Sequence, residues 1–147
     1  MRLTLDYPPV WLAGSCAVAW GLGRLVPHGP GWQGLPGWIL VLAGLSVMIT
    51  AAATMWRKRT TLDPHGQPAA LVTTGVFALS RNPIYLGDAL ILAGLCLIFA
   101  APVAALILVP VFMIVISRRF IAGEEARLAT AFPDMFAQYR AHTRRWI

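Results

Sequence analysis

Residues 81–88 read RNPIYLGD, and they set an arginine, an Asn-Pro pair, a tyrosine and an aspartate at the mouth of a long apolar run. Asn82 is a favoured N-cap and Pro83 suits the first helical position, so a helix is expected to begin here. A helix start presents unpaired amides and the positive end of its dipole. With the permanent charge of Arg81 beside it, the arrangement can receive a carboxylate or a phosphate. The same residues also read as a plain helix start with an arginine snorkelling to lipid phosphate, and residue types alone leave both readings open.

Asp88 lies about a turn and a half into the same run. An acidic side chain there costs about 2.5 to 3.5 kcal/mol on insertion scales unless it faces water or a partner. It is expected on a cavity wall, with a cation or hydrogen-bond donor opposite; a purely structural carboxylate tied to an arginine or an amide is the other reading. A second acidic group stands at Glu124 and Glu125 in FIAGEEARL. Neighbouring glutamates lie about 100° apart around a helix. One is therefore expected to face a site and the other to pair with Arg118 or Arg119. A solvated helix face would explain the pair equally simply.

The elements that position these groups are membrane helices. The chain has 147 residues, enough for a single domain over 1–147, with 58% hydrophobic and 12% charged residues; soluble domains carry about a quarter charged. Apolar runs cover about 8–26, 35–56, 84–100 and 102–117; the first two approach the ~20 residues that a bilayer core requires, and the last two are shorter, near the lower limit for spanning. A polytopic all-α fold with four transmembrane helices follows, the last two a tight hairpin turned at Ala101-Pro102. A signal peptide in the first run is disfavoured, since no clear small-x-small cleavage site is present.

The net charge of +6 comes from basic residues gathered at the ends of apolar runs, which suits anionic headgroups and excludes a nucleic-acid patch. Arg57, Lys58 and Arg59 follow the second run, Arg81 precedes the third, and Arg118 and Arg119 follow the fourth. The positive-inside rule then puts both termini, the loop 57–83 and the tail 118–147 in the cytoplasm. Eleven arginines against one lysine hint at a GC-rich, bacterial source, hence an inner membrane.

Glycines recur seven residues apart at Gly14 and Gly21, Gly37 and Gly44, and Gly87 and Gly94, giving each of three helices a seam where another backbone can approach. Pro110 should kink the fourth helix. Cys16 and Cys96 have neither CxxC nor metal-ligand spacing and read as packing residues. His65 and His142 read as surface residues, and no metal site is legible. In the loop, LVTTGVF reads as an extended segment hinged at Gly75. In the tail, Leu128, Phe132, Met135, Phe136, Tyr139 and Trp146 recur at helical steps divided by Pro133. That predicts two amphipathic helices on the cytoplasmic membrane surface, able either to lid the doorway or merely to anchor the chain.

LVTTGVFALSRNPIYLG, followed by GEEARLATAFPDMFAQYRAHTRRW, resembles the integral membrane methyltransferases grouped with isoprenylcysteine carboxyl methyltransferase and the phospholipid N-methyltransferases. The resemblance covers roughly Thr60 to Trp146, and the first two spans carry none of it. It implies a membrane enzyme that uses S-adenosylmethionine at the cytosolic ends of the last spans. In family terms, Leu71, Val72 and Gly75 fall where backbone lines the cofactor, Arg81, Asn82, Pro83 and Tyr85 match an Arg-(His/Asn)-Pro-x-Tyr signature, and Glu124 and Glu125 match a Glu-Glu pair. Asp88 stands where a hydrophobic residue is common. Asp88 and Arg81 are the catalytic candidates, the first as a base and the second as receptor for the cofactor's carboxylate. The implied acceptor is a lipid-like or lipid-tailed molecule bearing a carboxylate, amine or thiol. A small proton-coupled transporter using Asp88 is the alternative, and a scaffold that has lost activity a third. Oligomeric state is not legible.

Overall fold

The computed structural model describes residues 6–147. Six α-helices occur among them, and no strand: α1 (Pro8–Leu25), α2 (Gly34–Arg57), α3 (Pro83–Ile98), α4 (Pro102–Ile116), α5 (Ala122–Ala131) and α6 (Pro133–His142). Four of the six begin with proline, where its missing N–H is no loss and its fixed φ already suits the helix. The predicted runs and the observed helices agree to within about two residues.

Two helical stretches are long and apolar enough to cross a bilayer by length and composition, Gly31–Arg57 and Pro102–Ala131. The second comprises α4, a π-helical turn over Ser117–Ile121, and α5. Its apolar part ends with α4, since charged residues begin at Arg118. Helix α3 is apolar but shorter. It is the hub of the fold, with α2 on one side and α1 and α4 on the other.

Glycines set the α2–α3 contact. A methyl group added at Gly44 would lie 2.6 Å from the Gly87 carbonyl oxygen, and one at Gly37 would lie 2.7 Å from that of Gly94. Two of the three seven-residue pairs therefore face each other. The third does not: the added methyl would meet nothing at Gly14 or Gly21, while the tight glycine of α1 is Gly23, against the Phe99 backbone. A seven-residue spacing marks one face of a helix, but which faces meet is decided by packing.

Helices α2 and α3 end alike. Arg59 and Ala100 take left-handed conformations, φ 53° and 57°. Thr60 N–H bonds the Met55 carbonyl and Ala101 N–H that of Cys96, which closes each helix in a Schellman motif without the usual glycine. Three residues, 99–101, thus suffice to turn the chain from α3 into α4.

Two buried clusters follow from this packing. One joins Ala19 of α1, Leu92 and Cys96 of α3, Phe112 and Ile116 of α4, and Phe120 and Ile121 of the π turn. The other joins Ala51 of α2, Val72 and Phe77 of the loop, and Phe136 and Tyr139 of α6. The second cluster corrects part of the tail's expected role. Phe136 and Tyr139 bury against the protein's own loop, and Met135 alone of that trio is exposed, because the loop offers an apolar surface closer than any bilayer. The loop is likewise not extended throughout: Gly75–Ala78 form a 3-10 turn, with Gly75 at φ 64°.

Candidate functional site

The start of α3, the start of α5, the end of α2 and the loop enclose one cleft of ≈ 510 Å³, within the range of small-molecule sites. Leu71, Val72, Arg81, Asn82, Pro83, Tyr85, Asp88, Glu124 and Glu125 all line it; Gly75 does not. The structure brings together every site candidate but that glycine, which acts at a turn behind the wall. Met48, Met55, Phe77 and Leu128 supply much of the apolar lining.

The roles of the charged groups differ from those expected. Arg81 is not a free anion receptor. Its Nη2 lies 2.9 Å from Glu125 Oε1 and its Nη1 2.5 Å from the Thr143 carbonyl, and the Arg81 and Glu125 side chains are only 9% and 11% exposed. Arg145 completes the clasp, with Nη2 2.6 Å from Glu125 Oε2. Burial pushes the Glu125 carboxyl upward, but the bonds from Arg145 and Arg81 outweigh it and hold the group below the usual carboxylate range. The expected partners of the acid pair, Arg118 and Arg119, do not serve. Arg119 bonds Asp6 instead, at 2.9 Å, and both arginines stand about two helical turns before Glu125, outside the i,i+3 and i,i+4 steps at which helix neighbours pair.

Asn82 occupies the N-cap position, but its side chain does not cap α3; Nδ2 donates to the Arg145 carbonyl at 3.0 Å. The amides of Ile84 and Tyr85 consequently have no acceptor among the described residues, and both residues line the cleft. The anion receptor is reduced to these amides and the dipole behind them.

Glu124 turns into the cleft and accepts a hydrogen bond from Tyr85 Oη at 2.5 Å. Burial raises its carboxyl to about 7, and the Tyr85 bond and the Arg127 charge offset only part of that. Arg127 itself bonds the Pro64 carbonyl. Asp88 sits deeper, 4% exposed. Among the described residues neither Glu124 nor Asp88 forms an ion pair, so the cation expected opposite Asp88 does not come from them. The cleft thus holds two acids without an ion-pair partner among the described residues, an environment that favours cationic ligands.

The profile of the phospholipid methyltransferase family matches residues 32–134. The chain belongs to that family. The match takes in α2, which the sequence resemblance had left out, and α2 is the helix that interlocks with α3 through glycine. No curated protein and no solved structure matches the chain. Family membership makes this a membrane methyltransferase acting on lipid-like substrates. The residues that sequence reasoning missed are Arg145, which holds Glu125, and Tyr139, whose hydroxyl bonds the Phe77 carbonyl at 2.5 Å. Only the Arg-Arg-Trp ending hinted at the first, and nothing at the second.

Proposed function

We propose that the protein transfers a methyl group from S-adenosylmethionine to the amine headgroup of a membrane lipid, in the cleft between α3 and α5. One observation carries this reading: Glu124 and Asp88 line one cleft, neither forms an ion pair among the described residues, and Ile84 and Tyr85, whose amides have no acceptor there, line it too. The donor set fits the cofactor. The amides of Ile84 and Tyr85 suit its carboxylate, Glu124 suits its cationic groups, and Leu71, Val72 and Leu128 offer apolar surface for its rings. When bound, S-adenosylmethionine supplies an electrophilic methyl group on a sulfonium.

The chain's own residues do the rest by binding and by holding a proton. Asp88, uncompensated and deeper than Glu124, receives the acceptor's ammonium and takes the proton that must leave before nitrogen can form its new bond to carbon. The apolar walls exclude water, and fixed positions for both partners provide much of the rate. Arg81, Asn82, Pro83 and Glu125 build the wall without touching the reacting atoms.

The supporting arrangement is a single domain with four spans, helices α1 to α4, of which α3 and α4 form a hairpin. Both termini lie in the cytoplasm of a bacterium and the cleft opens at the inner leaflet. The basic residues after α2 and α4 support that orientation. A transporter would place its acid at the bilayer midplane, whereas the acids here gather at one end of the helices.

Purified protein incubated with methyl-labelled S-adenosylmethionine and vesicles tests the reading. Label should pass to lipids with a primary-amine headgroup and not to vesicles whose headgroups are all quaternary ammonium. Label in neither sinks the proposal.

A further inference from the structure

The last residues of the chain double back from α6 across the start of α3. Arg81 N–H donates to the Arg144 carbonyl at 3.0 Å. Ser80 Oγ and Asn82 Nδ2 both donate to the Arg145 carbonyl, at 3.3 and 3.0 Å. Beyond them Trp146 Nε1 donates to Ser117 Oγ, at 3.2 Å, in the π turn. Between these anchors the Arg145 side chain reaches back to Glu125 and shares it with Arg81.

The rotation of α5 is where such a tie can act. A π turn carries the backbone bonding from α4 into α5 in i→i−5 steps, a wider and less regular pattern than the α-helix ladder. Side-chain anchors therefore help to hold the rotation of α5 beyond it. Glu124 and Glu125 are neighbours about 100° apart on the helix, so fixing Glu125 fixes where Glu124 points. The two guanidiniums on Glu125 therefore aim the adjacent acid into the cleft.

We propose that residues 143–146 are a strap that positions the cleft's acidic wall, and that Arg145 is a positioning residue acting through Glu125 on Glu124. The proposal rests on the reading of Glu124 as the carboxylate that receives the cofactor's cationic groups. It also accounts for Arg81 and Asn82, whose side chains hold the strap.

The test uses full-length protein in detergent: wild type, Arg145→Ala, Arg145→Lys, Glu124→Gln, and Arg145→Ala combined with Glu124→Gln. Affinity for S-adenosylmethionine is read by calorimetry, and hydrogen exchange over residues 82–88 and 122–127 is read without cofactor. Arg145→Ala should weaken binding about tenfold, and Arg145→Lys should recover part of it. In the Glu124→Gln background the same alanine should cost less than about twofold, since the group it aims is already lost. Exchange in both segments should quicken while α1 is unchanged. Additive affinity losses, or unchanged exchange at 122–127, overturn the strap. If wild type does not bind S-adenosylmethionine, the cofactor reading fails and exchange alone decides the strap. Should Arg145→Ala not fold, Trp146→Phe removes the second anchor and is judged by the same two readouts.

Discussion

Tyr85 Oη lies 2.5 Å from Glu124 Oε1 and donates to it, joining the first turn of α3 to the first turn of α5 across the wall of one cleft. The bond crosses 39 residues of sequence and favours the ionised form of a carboxyl that burial alone would keep protonated.

Because Glu124 titrates at about 7, affinity for S-adenosylmethionine should strengthen as pH rises through that value. Tyr85→Phe should move the midpoint upward, and Glu124→Gln should flatten the curve. Calorimetry from pH 5.5 to about 8.5 reads both. A folded value above the unfolded one means that the group's contribution to stability is complete below the ordinary carboxylate value and lost as pH rises through about 7. Glu124→Gln should therefore gain on wild type, by about 1 to 3 kcal/mol between pH 5 and 8, in unfolding measured without cofactor.

Asp88→Asn should leave cofactor affinity within about twofold and depress turnover by about 10² or more, the scale of a lost general base. Equal turnover of the variant and wild type in the vesicle assay would remove Asp88 from the chemistry.

The glycine interlock predicts a contrast. Gly44→Ala or Gly94→Ala inserts a methyl group against a facing backbone carbonyl and should destabilise by about 1 to 3 kcal/mol. Gly14→Ala and Gly21→Ala, at open positions, should be neutral or gain up to about 1 kcal/mol from helix propensity. Thermal unfolding of the four variants in one detergent decides it.

Ala100 holds a left-handed conformation at the end of α3. Ala100→Gly should stabilise by about 1 kcal/mol, since glycine adopts that conformation without the Cβ clash. A fall in unfolding temperature would show that the side chain contributes packing that outweighs the strain.

The elements themselves were legible in the sequence. Apolar runs and prolines at helix starts report local free energies, of burial and of backbone φ, which each segment carries wherever it sits. For that reason the α1 to α4 boundaries and the division of the tail at Pro133 could be read directly, and Arg81, Tyr85, Asp88, Glu124 and Glu125 could be named from residue type before any fold was known.

Tertiary structure alone decided what those residues do. Arg81 looked like a free cation because its partners, Glu125 and the Thr143 carbonyl, stand 44 and 62 residues away. Glu125 looked ready to pair with Arg118 or Arg119, but those stand about two helical turns away, and Arg81 and Arg145 hold it instead. Charge compensation depends on distances of a few ångströms between groups far apart in the chain, and no local pattern encodes them. The sequence thus determined which side chains of α3 and α5 could do chemistry. Folding determined which charges cancel there, and so that the cleft left over is acidic and suited to cations.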